Sequence, residues 1–188
     1  MFEQKLPKYM TQEEVQNFFS RIKNKRDKAL FATIYHYGLR VTEATLLTLD
    51  DIDLNRNKIL VKRVKGGVWG EKPLFRDTKR LIKSYLEERK PNSGALFTGK
   101  QGKLKRRRIE QLFKYYAKKA KLKDDYTVHC LRHSIATHLL DDGQPIEFVQ
   151  DHLGHKNIQN TQIYSKISER KRKEVFEQLE YSRSIVRL

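Results

Sequence analysis

HCLRHSIATHLL, residues 129–140, reads as a helix stopped at Gly143, and LGHKNIQNTQIY, residues 153–164, starts at the end of another helix over 145–153. Positions three apart on a helix are neighbours, so His129 and Arg132 face one ligand or, in the plainer reading, cap and line the helix. Leu153-Gly154-His155 ends its helix at a glycine. Tyr164 then stands among polar neighbours, which suits a side chain that reaches a ligand, although any one of nine tyrosines is more often core or surface. Upstream, GLRVTE (38–43) puts Arg40 just past a helix end with Glu43 three residues on. That pair is either an ordinary surface ion pair or a carboxylate holding a guanidinium fork that grips a phosphate.

Outward from these stretches, Thr11 and Glu14 fit a capping box, and Val15, Phe18, Phe19 and Ile22 give the following helix an apolar face. A helix over 27–37 closes at Gly38, a short one covers 42–47, and 50–57 is polar. KILVKRV (58–64) reads as a strand, apolar at Ile59, Val61 and partly Val64. Gly66–Gly67 turns it into a second strand, so Lys62, Lys65 and Lys72 sit on a hairpin. Residues 76–89 and 169–179 follow helical spacing. Segment 100–123 carries eleven Lys/Arg and one Glu yet keeps Ile109, Leu112, Phe113 and Tyr116 in helical phase, which makes 103–123 a basic amphipathic helix. The fold class is α+β, mostly α, with one small antiparallel sheet. With no fixed-period repeat and no Pro/Gly/Ser-rich linker, residues 1–188 read as one domain with a core over about 10–168 and a helical tail over 169–188.

Charge dominates the composition. Forty Lys plus Arg against 23 Asp plus Glu leave +17 and a pI near 9.9, an excess that opposes compaction unless a polyanion is the partner. A chain of 188 residues buries on the order of 70% of its unfolded surface, so it needs no staple. Cys130 is the lone cysteine, which fits a reducing compartment. The charged opening MFEQKLPKYM is no signal peptide, and no run approaches the ~18 apolar residues of a membrane span. The expected setting is cytoplasmic and nucleoid-associated, with double-stranded DNA as partner and no membrane.

Taken in order, GLRVTE, the KGG of the hairpin, HCLRHSIATHLL and LGHKNIQNTQIY resemble the catalytic domain of the tyrosine recombinases, the phage integrase family, over about residues 10–168. The resemblance implies that Arg40, Lys65, His129, Arg132 and His155 assemble around a scissile phosphate, with Glu43 behind Arg40 and Tyr164 as nucleophile. Lys62 and Lys72 remain alternatives to Lys65, because alignment in a hairpin depends on turn length. It further implies a homo-tetramer on two duplexes, with the tail passed to a neighbour or docked on its own chain. A separate DNA-clamping N-terminal domain, common in the family, is missing from 1–188. The sequence is thus a fragment, or a short recombinase similar to the fimbrial phase-variation invertases.

The chemistry suits these residue types. A tyrosine hydroxyl titrates near pH 10 and needs help to attack, arginine forks match the non-bridging oxygens, and a lysine can release a proton to the leaving oxygen. Strand exchange of this kind needs no metal, ATP or other cofactor. A zinc site is weighed because His129, His133, His138, His152 and His155 fall within 27 positions, but one cysteine and no HExxH or CxxC argue against it. His133 and His138 read as packing or capping groups and His152 as a bystander near His155. Lys103, Lys105, Arg106, Arg107 and Arg108 are expected on DNA phosphates. The rival functions are a catalytically silent DNA-binding module and a type IB topoisomerase.

Overall fold

The computed structural model describes residues 7–64, 67–90 and 93–165. Three helices open the chain: α1 (Gln12–Ser20), α2 (Lys25–His36) and α3 (Val41–Leu46). Thr11 and Glu14 close the expected capping box on α1, each side chain bonded to the other residue's backbone N–H. A 3-10 turn at Leu49–Asp51 leads into β1 (Ile52–Asp53), followed by β2 (Lys58–Val61), β3 (Gly70–Pro73) and α4 (Arg76–Glu88). Then come β4 (Thr98–Gly99), β5 (Gly102–Lys103), α5 (Arg106–Lys119), α6 (Val128–Asp141), α7 (Ile146–Leu153) and α8 (Gln159–Ser165). Among the described residues no helix is long and apolar enough to cross a membrane.

Within the described residues each expected helix is present, with ends shifted by up to four residues, and α8 is a helix that the sequence reading did not include. The sheet is richer than expected. β1, inside the stretch read as polar, pairs with β2, and β2 pairs with β3 in a three-stranded antiparallel sheet with Ile59 opposite Ile52 and Lys72. The strand expected over 58–64 stops at Val61 and its partner starts at Gly70. Between them the Gly67 N–H donates to the Val64 carbonyl at 3.3 Å, a turn where the two glycines were expected to make one. β4 and β5 form a separate two-residue ribbon around Gly99 and Gly102, too short for any alternation to show in sequence. Lys103 therefore lies on β5, and the basic helix begins at Arg106, not 103.

The main core is aromatic. Phe18, Phe31 and Phe113 are fully buried with ring centroids 5.1–6.1 Å apart, tying α1 and α2 to the apolar face of α5. A second, smaller cluster of Ile135, Ala136, Leu140, Val149, Leu153 and Tyr164 joins α6, α7 and α8. The two clusters meet beneath the end of α2. There Gly38 turns the chain with φ +54°, and a Cβ would stand 2.5 Å from Leu153 Cδ2, so only glycine fits. The expected tail helix 169–179 lies outside the described residues.

Candidate active site

Glu43 organises the site. It is 1% exposed on the first turn of α3, and both carboxylate oxygens are saturated. Oε1 accepts from Arg40 Nη1 at 2.8 Å and from the Val64 N–H at 3.2 Å. Oε2 accepts from the Arg40 N–H at 2.8 Å and from Arg63 Nη1 at 2.9 Å. Arg132 Nη1 stands 3.8 Å from Oε2. Burial pushes this carboxyl up, but the Arg40 N–H and the facing guanidiniums of Arg63 and Arg132 outweigh it and hold it below the usual glutamate range. The expected support of Arg40 by Glu43 is thus present, and Glu43 serves two further arginines.

Arg132, 3% exposed on α6, reaches out of its helix to the Gly38 carbonyl, donates to the Leu153 carbonyl at 3.0 Å and donates to His155 Nε2 at 2.8 Å. An arginine only donates, so His155 carries its proton on Nδ1, which faces Thr161 Oγ1 at 2.9 Å. Burial first, then Arg132, Arg40 and Arg63, pull the His155 imidazole down to about 4, so it is neutral at pH 7. Burial and the neighbouring Arg40 and Arg63 likewise bring Arg132 down to about 9. Three guanidiniums thus share one carboxylate, leaving two uncompensated positive charges in a confined space. Such a site is built to take an anion.

The sequence reading had Tyr164 as a side chain that reaches a ligand from among polar neighbours. It is 2% exposed, its ring packed in the smaller apolar cluster. Burial raises its hydroxyl pKa, and Arg132 and Arg40 oppose the rise, which places the phenol within the field of the cluster. The phenol oxygen lies 2.8 Å from His133 Nδ1, with the rings 5.7 Å apart. His133, read from sequence as a packing residue, is therefore the group touching that oxygen. Burial, with His129 and Arg132, lowers it to about 4, so it is neutral and able to accept. His129 is exposed on the first turn of α6, with its pKa lowered by burial and by Arg106, Arg132 and Arg40.

The remaining assignments divide. His138 packs as expected, 6% exposed between the Tyr35 hydroxyl and the Met10 carbonyl. His152 is buried with Nε2 2.8 Å from the His36 carbonyl. Lys65 lies outside the described residues. Of its alternatives, Lys62 is tied to Asp51 at 2.7 Å and Lys72 to Asp151 at 2.8 Å. Among the described residues no three His, Cys, Asp or Glu side chains are grouped to hold a metal ion. Lys103, Lys105, Arg106, Arg107 and Arg108 are all exposed, on or just before the first turn of α5.

The fold and the site define a helical domain in which three arginines gather on one buried carboxylate and a buried tyrosine hydroxyl meets His133. The model of the phage integrase family matches residues 8–171, and the chain belongs to that family. It is 36% identical over 185 residues to the tyrosine recombinase XerA of Pyrococcus horikoshii, covering 96% of this chain and 64% of that one. With the XerA of Thermococcus kodakarensis the identity is 40% over 169 residues, 87% of this chain and 59% of the relative. A crystal structure of XerA recombinase superposes with a TM-score of 0.83 at 27% identity, over 93% of this chain and 65% of that one. A XerH site-specific recombinase bound to its palindromic difH substrate, in a post-cleavage complex, superposes at 0.79 with 26% identity, over 94% and 54%. The chain thus spans about 60% of the length of the relatives it matches.

Proposed function

We propose that this chain is a tyrosine-type site-specific DNA recombinase that cleaves and rejoins strands through a covalent 3′-phosphotyrosine. The observation that carries the reading is the meeting of Arg40 and Arg132 at Glu43, with Tyr164 in their field. Arg40 and Arg132 hold the non-bridging oxygens of one phosphodiester and stabilise the charge that grows there. His133 takes the hydroxyl proton of Tyr164 as the phenol oxygen bonds to phosphorus. The bond to the 5′-oxygen breaks, and Lys65 donates the proton that this leaving oxygen needs. Lys62 and Lys72 suit that task less, since carboxylates engage them. His155, bonded to Arg132, steadies the fork. Rejoining is the same sequence run backwards by a 5′-hydroxyl, with no metal or nucleotide consumed.

The basic run Lys103, Lys105, Arg106, Arg107 and Arg108 lies along the phosphate backbone in this reading. The whole of 1–188 acts as the catalytic domain. Four protomers assemble on two duplexes inside the cell, which light scattering of the DNA complex measures directly. The test of activity is covalent capture from a randomised pool of nicked suicide duplexes. The unaltered chain is expected to yield a protease-sensitive adduct that Tyr164→Phe abolishes. An adduct that persists in Tyr164→Phe refutes the nucleophile, and non-covalent retention without any adduct favours a silent binding module.

A further inference from the structure

Among the described residues, Arg63 is the one buried cation at the site that the chemistry above leaves without a task. Its side chain is 0% exposed. Nη1 donates to Glu43 Oε2 at 2.9 Å and to the Gly38 carbonyl at 3.2 Å, and Nη2 donates to the Tyr37 carbonyl at 2.8 Å and to the His152 carbonyl. The guanidinium therefore joins the end of α2, the start of α3 and the end of α7. It shares the Gly38 carbonyl with Arg132 and the Glu43 carboxylate with Arg40. Its stem fills the space over two glycines. A Cβ at Gly154 would stand 2.8 Å from Arg63 Cγ, and one at Gly67 would stand 2.6 Å from Arg63 Cβ. Fully enclosed, Arg63 cannot itself touch DNA.

Resting on the recombinase reading, we propose that Arg63 is a positioning residue for the transfer step: it neutralises Glu43 and clamps the α2–α3 bend to the end of α7, leaving the charges of Arg40 and Arg132 for the phosphate. Without it the carboxylate would neutralise one of those two and draw Arg132, already 3.8 Å away, off His155. An attacked phosphodiester carries about two negative charges, which the cradle matches only while Arg63 satisfies Glu43.

Two measurements on the full chain test this. The first is the rate of covalent adduct formation on the duplex captured by the unaltered chain. Arg63→Met is expected to slow cleavage about 100-fold, the usual effect of a displacement near 1 Å, with non-covalent affinity for that duplex retained. Adding Glu43→Gln removes the uncompensated charge and is expected to recover roughly tenfold. A purely packing role predicts no such rescue. Arg63→Lys, which keeps the charge but not the fork, covers the case in which Arg63→Met does not fold, and is expected to cleave at an intermediate rate with affinity unchanged. Arg63→Met or Arg63→Lys cleaving at the unaltered rate, or a double variant no faster than Arg63→Met, overturns the proposal.

The second measurement needs no DNA. His155 faces Arg132, Arg40 and Arg63 against Glu43, so its NMR titration should move up in Arg63→Met and back down when Glu43→Gln is added. A His155 titration that does not move overturns the proposal even if cleavage is slow. If the unaltered chain captures no duplex but the titration moves as stated, the recombinase reading fails while the role of Arg63 toward Glu43 stands.

Discussion

Two ion pairs of nearly equal length sit in opposite surroundings. Arg106 Nε lies 2.8 Å from Glu110 on α5 with side chains 63% and 43% exposed, while Arg63 Nη1 lies 2.9 Å from Glu43 with side chains 0% and 1% exposed. Water screens the first, and each partner can leave it at little cost, typically 0–1 kcal/mol. In the second, every donor and acceptor has been withdrawn from water, so each charge depends on the others staying in place. The difference teaches where this molecule is rigid and where it is adjustable. The anion cradle is locked from behind by buried bonds, whereas the basic face of α5 is a field of solvated charges that can follow the shape of a partner.

Glu43→Ala is expected to have the largest effect on stability. It leaves three guanidiniums facing one another and should destabilise the fold by about 3–5 kcal/mol in urea unfolding, whereas Glu110→Ala should fall within about 0.5 kcal/mol. Equal losses would erase the distinction between the two regions. His133→Ala comes next. The variant should retain DNA affinity and lose about 100-fold in adduct formation, because the phenol proton loses its acceptor. If it cleaves like the unaltered chain, the Tyr164–His133 contact is a packing feature only.

Acid sharpens the contrast further. His133, His152 and His155 are each depressed to about 4 in the folded chain, chiefly by burial, against about 6.5 unfolded. As pH falls through 6.5 the unfolded chain takes up protons that the folded chain refuses. Stability should therefore be full above pH 6.5 and decline continuously down to about 4, where the folded groups also titrate. Glu43, held below its ordinary value, adds a loss at still lower pH. Urea midpoints measured across this range check the slope, and a flat profile from 6.5 to 4 would mean that these rings are hydrated. The smallest change in stability belongs to the exposed face. Replacing Lys105, Arg106, Arg107 and Arg108 by Ala should leave unfolding within about 0.5 kcal/mol per residue while flattening the salt dependence of DNA affinity. An unchanged salt slope would remove α5 from the DNA interface.

Much of this could be read from the chain because the motifs stand in the order that resembles the tyrosine recombinases. Arg40 and Glu43 are three residues apart at a helix start, so spacing alone suggests their pairing, but that Arg40, Arg132 and His155 belong to one site was implied by the resemblance to the tyrosine recombinases. Arg63 was missed although its signal was present. In KILVKR it falls in phase with Ile59 and Val61, on the inward side of the strand, where an arginine requires a buried counter-charge. His133 was passed over because a residue next to Arg132 points elsewhere on an isolated helix, and only the return of α8 brings Tyr164 to it. Burial of Tyr164 has the same origin. Its own segment is polar, and the apolar faces of α6 and α7 cover the ring from outside that segment. Motif order pointed to the arginines, whereas the placement of the tyrosine depends on tertiary packing.

The most direct test of the central claim is a crystal structure of the Tyr164→Phe chain with the duplex that the unaltered chain captures. One phosphate should accept hydrogen bonds from both Arg40 and Arg132, with the edge of the residue 164 ring turned toward it. Guanidiniums bound to separate phosphates, or a duplex lying elsewhere on the surface, would contradict the account.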